Sequence, residues 1–430
     1  MFDREVPGQN SSLRVVQVTT VPESLWAFFR GQMRYLVAMG VEVQCVSSPG
    51  ALLGRFGQQE GVATDAIRMV RGISPVRDLI SISRLVRYLQ ALKPDIVHAH
   101  TPKAGFIAMV AAWIARMPVR IYHLHGLRYQ TSRGTKRLLL MLTEWLTCKL
   151  ASQVLCVSPS VRAAVVEDGL CAPAKISMLA NGSINGVDAA HDFNPERFGA
   201  ATKLRIRAEL GISPDSFVIG FVGRLTVDKG IEDLASAWSI LRSREPGARL
   251  LLVGSSEDPD RISFGVEQLL ANDARVIMTG EVLAVAQFYA AMDVLVLPSH
   301  REGFPIVALE AAAMMLPVIG TRVTGCVDAV MDGGTGTVIE PKDPEALAEA
   351  VMNYRSDPEL RRCHGEAARK WVQARFEPRR IWMALDAEYR RLVTESAVPR
   401  HRPSVPAPTS AAWLECSESE KSKAGGAPGG

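Results

Sequence analysis

Along most of this chain, short runs of β-branched and other apolar residues alternate with longer stretches whose apolar positions recur at helical spacing. LRVVQVTT (13–20) reads as a buried strand, TVPESLWAFFRGQMRYLVAMG as a helix and VEVQCVSS (41–48) as the next strand. Strand, helix, strand is the unit of a parallel sheet. The alternation continues through a helix at 76–92, DIVHAH (95–100), a helix at 103–116, VRIYHLHG (119–126), a helix at 134–151 and QVLCVSP (153–159). Around residues 176–198 it loosens into Asn, Gly and Asp, the chemistry of turns and linkers. A second alternation starts at SFVIGFVGRL (216–225) and runs through RLLLVGS (249–255), ARVIMTG (274–280), DVLVLPS (293–299) and PVIGT (317–321). The pattern predicts an α/β protein of two Rossmann-like domains, each a doubly wound parallel sheet, at 13–190 and 196–375 and facing across a cleft. A terminal helical region, ending in a helix at 376–395, and a disordered Pro-, Ser-, Ala- and Gly-rich tail at 397–430 complete the expectation.

Composition narrows the class without changing it. Apolar residues make up 47% and charged residues 22% of the 430, which excludes wholesale disorder and suits an α/β protein of two cores. The apolar stretch AGFIAMVAAWIA (104–115) is too short to cross a bilayer, and the N-terminus carries no apolar leader, so a cytoplasmic protein is expected. Seven scattered cysteines with no CxxC pair fit reduced thiols in that compartment. Charge is uneven: residues 1–190 hold 21 Lys/Arg against 12 Asp/Glu, although the whole chain is only +4. A basic first half suits an anionic acceptor or an anionic membrane surface, and a solvated face without a partner is the alternative. RGTKRLLLMLTEWLTCKL (133–150) and Val76–Leu92 combine Arg and Lys with apolar residues, either as interfacial helices or as ordinary amphipathic helices of a wound sheet.

In sheets of this kind ligands bind beyond the carboxyl ends of the strands. In DVLVLPSHREGFPIVALEAAAMMLPVIGT (293–321) a strand runs into the loop SHREGFP and a helix begins near Pro305. Gly303, Phe304 and Pro305 then border a helix N-terminus, which favours a phosphate. Glu310 on that helix can accept two adjacent ribose hydroxyls, and Glu302 lies within reach of a sugar on the same diphosphate. FVGRLTVDKG (221–230) carries Arg224 and Lys229 after the first strand of the second half, two cations able to neutralise a leaving diphosphate. Four of the eight histidines, His98, His100, His123 and His125, stand at the ends of two strands. Their i, i+2 spacing puts each pair on one face, but no Cys or Asp nearby completes a ligand set, so no metal site is expected. His98 and His100 also fit as plain strand-end residues. Lys103 opens a helix and is a candidate contact for an acceptor phosphate, with a solvated helix start as the alternative.

The Glu302-to-Glu310 segment resembles the Glu-x7-Glu motif of glycosyltransferase family 4, retaining enzymes of the GT-B fold, over about residues 13–390. The nearest resemblance is to bacterial capsular-polysaccharide, exopolysaccharide and lipid-linked-oligosaccharide transferases. It implies transfer from a nucleoside-diphosphate sugar, a UDP-sugar in particular, to a lipid-linked or saccharide acceptor, with no separate cofactor, no metal and no nucleic-acid partner. Arg224 and Lys229 would contact the diphosphate, Glu310 the ribose, Glu302 the sugar and His125 the reacting centre. Gly280, Glu281 and Val282, at another strand end, are expected to meet the nucleobase. The Gly-Gly loop that many members carry after the first strand is replaced here by TTVPESLWAFF, which weakens any inference about acceptor contacts there. Asp258-Pro259-Asp260 has the DxD form of metal-dependent single-domain transferases, but the two-domain pattern favours metal independence. A nucleotide-sugar epimerase of the same fold and a non-catalytic binding protein are the rivals. A nicotinamide oxidoreductase fits poorly, because the first strand is not followed by GxGxxG.

Overall fold

The computed structural model describes residues 12–256, 261–282 and 284–396. The Asp258-Pro259-Asp260 triplet and the 397–430 tail lie outside the described residues. Two compact units form: the described residues of Met1–Tyr122, Leu150–Gln153 and Asp386–Gly430, and those of His123–Lys149 and Val154–Leu385.

The first sheet has seven strands: β1 (Leu13–Val18), β2 (Val41–Ser47), β3 (Ala63–Ala66), β4 (Ile96–His100), β5 (Val119–Leu124), β6 (Gln153–Cys156) and β7 (Ile176–Met178), ordered β3-β2-β1-β4-β5-β6-β7. β1 pairs in parallel with both β2 and β4, and Val15, Val16 and Val18 are fully buried, as expected of a central strand covered on both faces. The second sheet contains β8 (Phe217–Val222), β9 (Ala248–Val253), β10 (Val276–Met278), β11 (Val294–Leu297), β12 (Val318–Thr321) and β13 (Gly336–Ile339), ordered β10-β9-β8-β11-β12-β13. Order reverses between β8 and β11, so the loops after these two strands leave from the switch point where open α/β sheets bind ligands. Beneath them Trp238 is fully buried among Phe221, Leu241, Leu250 and Leu252, and its indole N–H donates to Asp273 at 3.1 Å.

Sequence pattern missed β3, β7 and β13, three short strands at or beside sheet edges whose residues lack a strong apolar alternation. The single helix expected after β1 is two, Pro22–Phe29 and Gln32–Ala38. Gly31 between them has φ +79°, a left-handed backbone that ends one helix and starts another. The buried Glu60 carboxylate accepts from the amides of Gly31 (3.0 Å) and Arg34 (3.3 Å), so a negative charge caps the second helix.

Two of the strand-end histidines are accounted for inside the first unit. His98 Nδ1 lies 2.6 Å from the Tyr389 hydroxyl, which also accepts from Gln17 Nε2 at 2.8 Å, while His100 Nε2 is 2.9 Å from Gln17 Oε1. Their rings lie 4.1 Å apart, as the i, i+2 spacing requires. The network ties Tyr389, on the last helix, to the floor of β1 and β4. No described helix is long and apolar enough to cross a membrane.

Candidate active site

The second unit gathers most of the sequence candidates at the ends of β8, β11 and β12. After β8 the chain turns through Arg224 and a short 3-10 helix ending in Lys229. After β11 it runs through Ser299 and Glu302 into the helix Ile306–Ala313, with Pro305 as its N-cap residue. Lys229 Nζ donates to Glu302 Oε1 at 2.6 Å, and Ser299 Oγ donates to the same oxygen at 2.7 Å. Glu302 is only 8% exposed, so its carboxylate is held in one orientation by an opposite charge and a hydroxyl. Of the ammonium's three N–H groups, this bond uses one.

A second carboxylate organises the cations around it. Asp228 accepts from Arg301 at 2.6 Å and from the Thr226 hydroxyl at 2.6 Å, with Arg224 3.9 Å away. Burial would raise its pKa, but the Thr226 bond and the charges of Arg301, Arg224 and Lys229 outweigh that and hold it below the ordinary value. His300 is anchored in turn, its Nε2 2.6 Å from Asp233.

The loop between Glu302 and the helix is packed backbone against backbone. A Cβ on Gly303 would stand 1.9 Å from the carbonyl oxygen of His125, and one on Gly325 would stand 2.2 Å from the carbonyl oxygen of Gly303. Loops after β5, β11 and β12 therefore converge on Gly303. The Glu302 amide donates to Thr324 at 3.2 Å, and the Gly325 amide donates to Ser160 Oγ at 2.7 Å, which itself bonds Asp328. The helix Ile306–Ala313 begins four residues after Glu302; its leading amides lack a carbonyl one turn earlier, and of these the Ala308 amide bonds the Pro305 carbonyl at 3.0 Å.

His125 keeps a partly exposed edge, yet surrounding protein desolvates the ring and pushes its pKa down to about 3. The imidazole is thus neutral near pH 7 and can offer a hydrogen bond but no positive charge. Because an unfolded histidine would protonate near pH 6.5, this site opposes folding increasingly as pH falls from about 6.5 toward 3, and its contribution is neutral above that window.

Glu310 sits one turn into the helix, and the Tyr289 hydroxyl donates to its Oε2 at 2.7 Å. Burial and the Glu310 charge raise the Tyr289 pKa well above its ordinary value, so the phenol stays a donor. Gly280 follows β10, its carbonyl accepting from the Gly254 amide at 2.9 Å; Glu281 is exposed and Val282 half-buried. Phe304 is buried and its ring lies 5.3 Å from that of Phe376. Lys103 belongs to the first unit, where its ammonium pairs with Asp78 at 2.5 Å.

Ser299, Tyr289, Ser160 and the Thr324–Gly325 loop were not anticipated. Ser299 and Gly325 both directly follow or closely trail a strand end, the one local signal that could have marked them; Tyr289 and Ser160 carry none.

Two parallel-sheet units with their charged residues gathered at strand-end loops make this an α/β protein of the GT-B glycosyltransferase fold. HepE of Anabaena, solved with UDP-glucose, matches with a TM-score of 0.72 at 18% identity, covering 89% of this chain and 100% of that one. A glycosyltransferase from Rickettsia africae matches with a TM-score of 0.72 at 20% identity, covering 89% and 99%. Residues 25–182 match the family model of the glycosyl transferase 4-like domain, and residues 202–371 that of the glycosyl transferases group 1. The capsular polysaccharide biosynthesis glycosyltransferase CapM of Staphylococcus aureus is 34% identical over 383 residues, which is 89% of this chain and 98% of that protein. An Escherichia coli UDP-Gal:alpha-D-GlcNAc-diphosphoundecaprenol alpha-1,3-galactosyltransferase is 28% identical over 67% of this chain and 73% of its own length. The chain belongs to glycosyltransferase family 4.

Proposed function

We propose that this glycosyltransferase moves a sugar, with retention of configuration, from a UDP-sugar to a lipid-linked or saccharide acceptor in bacterial glycan assembly, working at the inner face of the cytoplasmic membrane. The observation that carries the reading is the Lys229–Glu302–Ser299 arrangement: a fixed carboxylate beside an ammonium with donors to spare, at the N-terminus of a helix. In this reading Arg224, the remaining Lys229 N–H groups and the loop amides around Gly303 hold the diphosphate. They supply the positive charge that its departure requires without calling on a metal ion. Glu302 Oε2 takes a sugar hydroxyl, Glu310 the ribose hydroxyls, and the Gly280-Glu281-Val282 turn the nucleobase. His125, neutral, donates or accepts a hydrogen bond at the sugar. The bond from the anomeric carbon to the diphosphate oxygen breaks, the acceptor hydroxyl oxygen attacks from the same face, and its proton passes to the leaving diphosphate. The names of CapM and the Escherichia coli galactosyltransferase support a glycan product and a lipid-diphosphate acceptor, and the UDP-glucose complex of HepE supports the donor class.

A panel of nucleoside-diphosphate sugars, each assayed for released nucleoside diphosphate with and without an undecaprenyl-diphosphate-linked sugar, tests the reading. UDP release that requires the acceptor is the expected result. Conversion of the donor into a second sugar nucleotide without acceptor would make the chain an epimerase instead.

Tyr289→Phe deletes the hydroxyl that donates to Glu310 at 2.7 Å and lies 3.4 Å from the Val307 carbonyl oxygen, and keeps the ring. Loss of one hydrogen bond to a charged group should raise the donor KM about tenfold while kcat stays within about twofold. Equal losses in both parameters would mean that Glu310 does not act in donor binding.

A further inference from the structure

We propose that a cleft in the second unit, at the end of its sheet opposite the Glu302 loop, binds a small phosphomonoester that carries an apolar body. The cleft lies between the helices Ala200–Glu209 and Pro358–Arg375 and the segments that enter β11 and β12. Asp293 immediately precedes β11 and Leu316 precedes β12, so the cleft sits at the amino ends of strands whose carboxyl ends carry the donor candidates. Its volume is about 350 Å³, the size of a small-molecule site. Met292, Met314 and Leu316, all buried, line it together with half-buried Phe198 and with Tyr289. Met315, at its rim, has φ +62°, a left-handed backbone rare for a residue with a side chain, and a Cβ on Gly365 would stand 2.1 Å from its carbonyl oxygen. The rim is therefore locked against the helix Pro358–Arg375.

Charge selects the ligand. Asp293 is the one carboxylate among the described residues that line the cleft. It accepts from Arg207 at 2.8 Å and from the Val218 amide at 2.8 Å, so it is largely committed before Lys203 approaches at 3.4 Å. Arg361 donates to the Tyr354 carbonyl at 3.0 Å and lies over the Phe217 ring, and neither partner carries a charge. Removal from water, and repulsion from Arg207 and Arg361, pull the Lys203 pKa below its ordinary value although Asp293 opposes the shift. A dianion beside Lys203 and Arg361 would match the positive charge that Asp293 leaves over, whereas a neutral or cationic ligand would desolvate it without compensation. Arg362, also at the cleft, is already held by Glu359 and Glu366 and adds nothing to this excess. Inorganic phosphate alone is a poor fit, because it would cover none of the apolar lining.

None of Arg224, Lys229, Glu302 and Glu310 lines the cleft, and its test uses neither donor nor acceptor, so failure here leaves the transferase reading standing. Full-length protein is titrated calorimetrically with phenyl phosphate, inorganic phosphate and phenol. Phenyl phosphate should bind at least about tenfold more tightly than either half presented alone. Lys203→Met, which keeps the apolar stem and removes the charge, should weaken it at least about tenfold. Met315→Glu, at an exposed rim position, should do the same by placing a carboxylate at the mouth, with thermal melts as the control for folding. Arg224→Ser should leave the affinity within about twofold, because that arginine belongs to the proposed donor contacts. No binding of phenyl phosphate below about 10 mM, or wild-type affinity in either cleft variant, would overturn the proposal. So would a loss in Arg224→Ser that Lys203→Met does not share, which would place the phosphate among the donor contacts.

Discussion

Glu302→Gln will lower kcat/KM about a hundredfold while leaving the fold intact. The amide keeps the shape of the side chain, and its carbonyl oxygen can still accept from Lys229 and Ser299, which both bond the same Oε1 in the wild type. What changes is charge and the second oxygen. Lys229 loses its counter-ion, and the atom turned toward the proposed sugar becomes an N–H donor where an acceptor stood. A hydrogen bond to a charged group contributes about 1.5–3 kcal/mol, which brackets the hundredfold loss. Steady-state kinetics of acceptor-dependent UDP release measure it, with a thermal melt as the control for folding. Activity within about threefold of wild type would remove Glu302 from the donor site and with it the central assignment.

Gly303→Ala should damage the fold as well as turnover, for steric reasons. The added methyl would stand 1.9 Å from the His125 carbonyl oxygen and 3.0 Å from the Gly126 nitrogen, both backbone atoms that cannot swing aside as a side-chain end can. Either the loop lifts or the strand end of β5 moves. Overpacking of this kind costs about 1–3 kcal/mol, which lowers the melting temperature by several degrees in a domain of this size, roughly 2–4 °C per kcal/mol. Displacing Glu302 and the helix N-terminus by about 1 Å should also cut turnover about a hundredfold. Activity and melting temperature both matching wild type would mean that the three loops do not meet as described.

The candidate site was partly legible before any coordinates. Glu302, Gly303 and Glu310 are close in sequence, and a strand, a turn-rich loop and a helix start can be read from local composition, so their shared location follows from the 293–321 segment alone. Arg224 and Lys229 were visible for the same reason, as cations in a strand-end turn. Tyr289 was not, because nothing near it in the sequence differs from an ordinary helix tyrosine; only the crossing of its helix past Ile306–Ala313 brings its hydroxyl to Glu310. Phe304 could be placed in the loop from sequence, but that its ring packs on Phe376 could not. The break at Gly31 shows the limit of periodicity, since a sustained apolar spacing does not record a single left-handed residue.

By itself the sequence determined the kind of protein: two alternations of strand and helix, and acids, cations and glycines at the ends of particular strands. Those features are local, fixed by side-chain periodicity and turn chemistry within a few residues. The tertiary structure decided which of them touch. Lys229 meets Glu302 across 73 residues of chain because β8 and β11 lie side by side, and Gly303 meets His125 because three strand ends converge. It also decided that the helix at 75–92 buries one apolar stripe and turns another outward. Such outcomes depend on strand order and on the burial summed over a whole core, and no short window of sequence contains either.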